Sequence, residues 1–327
     1  MSKPNAYVTR WMPDEALEMI RPYANLRQWE PADVPVPRDT LLSEARDADG
    51  LLVFLTDRID AELLDAAPKL RVVSNCAVGF DNIDVPACTA RGVAVGNTPG
   101  VLTETTADLA WALLMAAARR IGEAERIVRG GKWKSWSLMY MVGQDVHDAT
   151  LGIVGMGRIG MAVARRGIGF GMRILYADRS PNERADRELG AKRVSMDELL
   201  AESDFVSVHL PLSPETRNLF GANEFRKMKR TAVFVNTARG GVVDQAALAR
   251  ALADGEIAAA GLDVYVTEPL PMDDPLLALE NVVLAPHIGS ASVRTRTGMA
   301  RIAAQNLVAG LLGEPLPYPV NPEVRRA

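Results

Sequence analysis

Residues 150–167 read TLGIVGMGRIGMAVARRG. An apolar run, Leu151–Val154, meets three glycines spaced Gly155-x-Gly157-x-x-Gly160 and passes into a segment with helical apolar spacing. The pattern predicts a buried strand that turns sharply into a helix. Each glycine then has its own role. Gly155 permits the tight turn, Gly157 lets a pyrophosphate approach the backbone, and Gly160 lets helix and strand pack closely. The free N–H groups of the helix start, at Arg158 and Ile159, and the positive end of its dipole suit phosphate oxygens.

A glycine triplet alone marks only a turn. The context adds an acid, Asp178, which ends the next apolar run in ILYADRSP, 18 residues past Gly160. A carboxylate there accepts hydrogen bonds from ribose hydroxyls and repels a 2′-phosphate. Arg179 beside it can pair with such a phosphate or stack on adenine. The set predicts NAD as the cofactor, with NADP the second choice.

Working outward, short β-branched runs alternate with helical stretches along most of the chain, the rhythm of parallel sheets covered by helices. Strands are expected at Tyr7–Thr9, Leu51–Phe54, Val72–Asn75 and Val93–Val95. After the glycine turn they are expected at Arg173–Ala177, Phe205–His209, Ala232–Asn236, Ala259–Val264 and Val282–Ala285. Helices are expected at Asp14–Ile20, Asp39–Ala45 and Ala61–Ala66, and in a last stretch to about Leu312. Leu102–Arg120 is apolar on nearly all sides, so it is expected as a helix buried in a core, against a second subunit, or both.

The chain has 327 residues, long enough for two domains, and 48% of them are hydrophobic, enough for large cores without a disulfide or metal staple. A formal net charge of −4 with no basic stripe argues against a nucleic-acid or membrane-surface partner. Two cysteines, Cys76 and Cys88, outside any CxxC pair predict a reducing, cytoplasmic setting and no metal site. The start, MSKPNAYVTRW, is read as no signal peptide, and the longest apolar run, Ala110–Ala118, is too short to span a bilayer.

Only three histidines exist. His147, in GQDVHDAT, reads as a loop residue. His209, closing FVSVHLPLS, reads as shaping a strand end beside the cofactor. His287 follows VVLAP, where a strand ends and a helix begins, and such sheets place their ligands at the carboxyl ends of strands. Arg239, after AVFVNTA, and Glu268, in DVYVTEPLP, occupy comparable positions. An arginine, a glutamate and a histidine thus end three successive strands.

In order along the chain, VGMGRIG, VHLPLSPET, VNTARGGVVD, GLDVYVTEP and LAPHIGSAS resemble the D-isomer-specific 2-hydroxyacid dehydrogenases. NCAVGFDNID and NTPGVLTETTADLA bring the chain nearest the glyoxylate and hydroxypyruvate reductases of that family. The resemblance implies an α/β fold of two doubly wound parallel-sheet domains. One is a flavodoxin-like substrate domain, discontinuous over 1–99 and 288–327. The other is a Rossmann-like NAD(P)-binding domain over 100–287. It also implies a homodimer.

By the same resemblance Arg239 holds the substrate carboxylate and carbonyl, His287 is the acid/base and Glu268 its partner. The backbone at Val78 and Gly79 touches the carboxylate. Thr106, His209, Pro211, Thr237, Ala238 and Gly289 join the cofactor site, and Asp263 meets the nicotinamide carboxamide. The expected reaction is reversible reduction of a small 2-keto acid, glyoxylate or hydroxypyruvate, to the D-2-hydroxy acid. Formate-oxidising relatives carry glutamine at the Glu268 position and phosphite-oxidising ones carry lysine at the Val78 position, which argues against both substrates. A bulkier keto acid such as 2-ketogluconate remains an alternative, with Trp136 and Met141 in WKSWSLMYMV (133–142) as candidate pocket residues. So does a non-catalytic NAD-sensing protein on the same scaffold.

Overall fold

The computed structural model describes residues 3–324. The chain forms two units, Met1–Leu102 with Ala291–Ala327, and Thr103–Ser290. From its start it runs through β1 (Asn5–Val8), α1 (Asp14–Ile20), β2 (Asn25–Gln28), α2 (Arg38–Ala45), β3 (Gly50–Val53), α3 (Ala61–Ala66), β4 (Val72–Asn75), α4 (Val85–Ala90) and β5 (Ala94–Gly96). The second unit then follows: α5 (Thr103–Ala118), α6 (Ile121–Arg129), β6 (Thr150–Val154), α7 (Arg158–Ile168), β7 (Arg173–Ala177), α8 (Glu183–Leu189), β8 (Lys192–Arg193), α9 (Met196–Glu202) and β9 (Phe205–Val208). It closes with α10 (Ala222–Lys227), β10 (Val233–Asn236), α11 (Gln245–Ala253), β11 (Ala259–Leu262) and β12 (Val282–Leu284), after which α12 (Val293–Leu312) returns to the first unit.

The first unit holds a five-stranded sheet in the order β2-β1-β3-β4-β5, every pair parallel. Its central strands β3 and β4 are buried along their whole length because both faces are covered. Leu51, Val53, Val73 and Val95 join Leu41, Leu63 and Cys88 in one core. The opposite face meets α12, where Ser74 Oγ donates to the Ala303 carbonyl at 2.7 Å.

The second unit holds seven parallel strands in the order β12-β11-β10-β9-β6-β7-β8. The chain moves one way from β6 through β7 to β8 and the other way from β9 onward, so the direction reverses between β6 and β9. That reversal is the crevice where doubly wound sheets take ligands. Ile153, Tyr176, Val233 and Val235 pack on one face with α5 and α7. Val154, Val206, Val208 and Phe234 pack on the other with Phe220 and Phe225. There Phe225 meets Phe234 edge-on at 5.5 Å.

Helix α5 lies inside this second unit. Trp111 is 6% exposed; its Nε1 donates to the Val163 carbonyl at 3.0 Å, and its ring stacks on Phe170. The helix ends at Ala118 rather than Arg120, because Arg120 takes a left-handed conformation (φ 53°) and starts α6 afresh. Two strands carry no apolar signature. β2, NLRQ, and β8, Lys192–Arg193, are edges, and an edge strand needs only its backbone to pair. Helix α12 begins at Val293, where the Ser292 side chain accepts the Thr295 N–H. The 133–142 segment, with Trp136 at 75% exposed, covers no core, and Met141 sits at φ 56°.

Candidate active site

The glycine turn has the geometry its spacing predicts. Gly155 is at φ +95°, a conformation that favours glycine, and a Cβ there would fall 2.8 Å from the His209 carbonyl oxygen. A Cβ at Gly160 would fall 2.2 Å from the Gly155 carbonyl oxygen. At Gly157 an added Cβ meets nothing within 4 Å, so the fold itself leaves room there for a group approaching the backbone. Gly157 caps α7 without any side-chain hydrogen bond to the helix start.

Asp178 ends β7 beside this turn, and its Oδ2 accepts the Met156 N–H at 2.8 Å. Asn182 fixes the same loop from the other side, Nδ2 donating to the Met156 carbonyl at 2.8 Å. The Arg193 guanidinium holds the backbone carbonyls of Asp178 and Arg179, both at 2.9 Å. His209, at the end of β9, is half-buried, with Nε2 2.8 Å from Ser207 Oγ. Burial pushes its imidazole down to about 3, so it stays neutral and takes no part in proton exchange near neutral pH. Pro211 follows on the surface, its carbonyl accepting the Thr216 hydroxyl at 2.7 Å. Thr237 Oγ1 is buried without a hydrogen-bond partner among the described residues. A buried hydroxyl left unsatisfied is costly unless a ligand completes it. The open space at Gly157, the uncapped helix start and this hydroxyl fit a dinucleotide.

Three neighbouring strands supply the other half. Asn236, 1% exposed at the end of β10, shapes the turn that presents Arg239. Its Oδ1 accepts the Ala238 N–H and its Nδ2 donates to the Arg239 carbonyl, both at 3.0 Å. Arg239 is half-buried, and its Nη1 donates to the Ala238 carbonyl at 2.9 Å. Beyond β11, Glu268 Oε1 accepts the Tyr265 N–H at 3.0 Å. Its Oε2 lies 2.6 Å from His287 Nδ1, beyond β12. Burial alone would raise the Glu268 carboxyl. The His287 hydrogen bond and charge, the Tyr265 amide and the Arg239 charge outweigh it and hold the carboxyl below its ordinary value. Glu268 is therefore a carboxylate near neutral pH, and it engages the imidazole through Nδ1.

His287 sits at φ 55°, an uncommon backbone conformation for a residue with a side chain. Asp263 over-determines it. The His287 N–H donates to the Asp263 carbonyl at 2.9 Å, and the N–H groups of Ile288 and Gly289 donate to Oδ1 and Oδ2 at 2.7 Å each. Burial pushes the Asp263 carboxyl above its ordinary value, against the pull of those two amides and of His287. Asp263 thus clamps three successive amides, a role the resemblance did not give it. Thr106, on α5, lies beside Gly289: a Cβ added to the glycine would meet its Cγ2 at 3.4 Å.

The carboxyl ends of one sheet therefore gather Gly155, Gly157, Gly160, Asp178, Arg179, His209, Thr237, Ala238, Arg239, Asp263, Glu268 and His287. Val78 and Gly79 belong to the first unit, in the loop after β4. Their carbonyls accept from the Asn97 and Asn75 side-chain amides, each at 2.8 Å, which fixes the plane of the peptides. His147 is exposed and paired with Asp148 at 2.9 Å, away from the cluster of strand ends. Cys76 and Cys88 are free and buried, and burial pushes both thiols up to about 12. Among the described residues no helix is long and apolar enough to cross a membrane, and no cluster of His, Cys, Asp and Glu is arranged to hold a metal ion. Asn236 carries weight that its context barely announces: the only signal is an amide closing the apolar run VFVN.

Comparison with known proteins places the whole arrangement. Residues 111–289 match the family model for the NAD-binding domain of the D-isomer-specific 2-hydroxyacid dehydrogenases. A glyoxylate reductase of Korarchaeum cryptofilum is 57% identical over 98% of this chain and 97% of its own. A crystal structure of a Thermus thermophilus protein superposes with a TM-score of 0.90 at 46% identity, covering 97% of this chain and 99% of that one. An NADPH-dependent glyoxylate/hydroxypyruvate reductase of Sinorhizobium meliloti, solved with NADP and malonate, superposes with a TM-score of 0.85 at 34% identity, covering 100% and 99%. With two wholly parallel sheets, a glycine turn at the reversal of strand order and this breadth of similarity, the chain belongs to the D-isomer-specific 2-hydroxyacid dehydrogenase family.

Proposed function

We propose that the protein reduces glyoxylate or hydroxypyruvate to the D-2-hydroxy acid, reversibly, with NAD(P)H. The observation that carries this reading is the His287–Glu268 pair at 2.6 Å, formed past the ends of adjacent strands β12 and β11, with Arg239 past the end of β10. The relatives' activities, glyoxylate reductase and glyoxylate/hydroxypyruvate reductase, support the choice of substrate.

When bound, the nicotinamide supplies the hydride. The chain supplies position, charge and a proton. Arg239 offers a planar fork to a 2-keto acid, two hydrogen bonds to oxygens, and its charge favours the negative charge that grows on the carbonyl oxygen during reduction. His287, held through Nδ1 by Glu268, gives that oxygen a proton from Nε2; in the reverse direction it takes the proton back. Asp178 favours NAD, while Arg179 admits NADP.

The coenzyme role goes to 100–287 and the substrate role to 1–99 with 288–327. A homodimer is part of this reading, supported by exposed apolar side chains on the second unit. Helix α6 buries none of its residues; Ile121 and Val128 are 54% and 60% exposed, and Leu138 and Met139 are 77% and 74% exposed. Two free thiols support a reducing compartment, the cytoplasm.

The test is a panel of 2-keto acids, from glyoxylate and hydroxypyruvate to 2-ketogluconate, assayed with NADH and NADPH by loss of nicotinamide absorbance. Highest kcat/KM on glyoxylate or hydroxypyruvate is the expected result. Preference for the sugar acid moves the assignment to the bulkier substrate, and binding of NADH without turnover of any acid removes the enzyme reading.

A further inference from the structure

One buried residue touches all three of the strand ends that carry Arg239, Glu268 and His287, and its side chain has no part in the chemistry of those three. Tyr265 is 8% exposed. Its N–H donates to Glu268 Oε1 at 3.0 Å. Its hydroxyl lies 3.0 Å from the Ala285 carbonyl, two residues before His287, and 3.4 Å from the Leu262 carbonyl. Its own carbonyl presses against Gly240, the residue after Arg239: a Cβ added at Gly240 would fall 1.9 Å from the Tyr265 carbonyl carbon, so only glycine allows this approach. The next amide, Val266 N–H, donates to Gln245 Oε1 at 3.0 Å and fixes the peptide from its far side.

We propose that Tyr265 is a positioning residue for the reaction: its hydroxyl on Ala285 and its amide on Glu268 set the His287–Glu268 pair in place relative to Arg239. The proposal rests on the roles given to those three residues under the proposed function. A tyrosine needed only for its ring would leave the hydroxyl to find any partner it could. Here the hydroxyl reaches the carbonyl of the first residue past β12, immediately ahead of Pro286 and His287. That carbonyl's strand delivers His287 in a backbone conformation that must be over-determined to persist. Asp263 holds it after the turn and Tyr265 holds it before the turn. Burial, with the charges of Asp263 and Glu268, pushes the phenol up to about 12, so it remains a donor across any working pH. A general acid must be held to a fraction of an ångström, and a misplacement of about 1 Å can cost roughly 10²-fold in rate.

The experiment compares wild type, Y265F, E268Q, H287N and the double variant Y265F/E268Q, with glyoxylate and NADH. Y265F removes one oxygen and leaves the ring. Its expected effect is a fall in kcat of about tenfold, the kinetic equivalent of one lost hydrogen bond, with NADH affinity by fluorescence titration unchanged. Because Tyr265 acts through the Glu268–His287 pair, the double variant should fall no further than E268Q alone. If E268Q and H287N are impaired but Y265F keeps wild-type kcat, the proposal is overturned while the active-site assignment stands. It is overturned equally if the Y265F and E268Q losses multiply, or if Y265F weakens NADH binding as much as turnover, since either result marks a general structural role. If E268Q and H287N both turn over like wild type, the assignment itself has failed, and the proposal with it.

Discussion

On one side of the β6–β9 boundary the second sheet presents mostly backbone at its strand ends; on the other it presents side chains. The β6–β7 side is local: Gly155, Gly157, Gly160 and Asp178 fall within 24 residues of chain, and their demands are conformational. The β10–β12 side is assembled: Arg239, Glu268 and His287 are spread over 49 residues and become neighbours only because three parallel strands end together. A site built from backbone tolerates change in most of its side chains and fails at its glycines. A site built from side chains should fail one group at a time, each loss touching a different kinetic constant.

That contrast breaks most sharply at His287. His287→Ala should lower kcat by about 10²–10⁴-fold, the span of general acid catalysis, while NADH affinity measured by titration stays within a few-fold. A joint loss of both would mean that the two sides of the sheet are not separable. Arg239→Ala comes next: kcat/KM for the keto acid should drop about 10²-fold, the range of one or two charge-assisted hydrogen bonds, as read in steady-state assays. Asp178→Ala tests the backbone side through its one essential charge. The NADPH/NADH ratio of kcat/KM should rise about tenfold, with kcat at saturating NADH little altered; an unchanged ratio transfers control of cofactor choice to Arg179 or Arg193.

The smallest effect on turnover concerns pH and stability. His209 is neutral in the fold, with its imidazole pushed from 6.5 to about 3. Below pH 6.5 the unfolded chain binds a proton that the folded chain refuses, so stability falls as pH drops from 6.5 towards 3. Glu268 adds in the same direction at lower pH: its carboxyl is depressed in the fold, so its contribution is present above the ordinary carboxyl value and is lost as pH falls through the folded one. His209→Gln should flatten the decline in Tm between about pH 7 and pH 4. A decline that keeps its slope would show that His209 is solvated enough to titrate normally.

The same division governs what could be read in advance. Strand β4 at Val72–Asn75 and helix α1 at Asp14–Ile20 match their expected limits because apolar periodicity is a property of neighbouring residues. Strands β2 and β8 escaped because an edge pairs through its backbone and leaves no pattern in its side chains. The helix expected over Leu102–Arg120 stops at Ala118, since the left-handed turn at Arg120 has no glycine to announce it. Asp263 is visible in the chain as an acid after a strand. Its clamp on the amides of 287, 288 and 289 requires β12 to lie beside β11.

By itself the sequence determined the glycine turn, the acid that follows it and the order of strand and helix, because each depends on contacts between residues close in the chain. The tertiary structure alone decided which oxygen of Glu268 meets His287 and that the Tyr265 hydroxyl reaches Ala285. Those contacts join residues on different strands. Their distances follow from sheet register and close packing, which no local pattern of residues encodes.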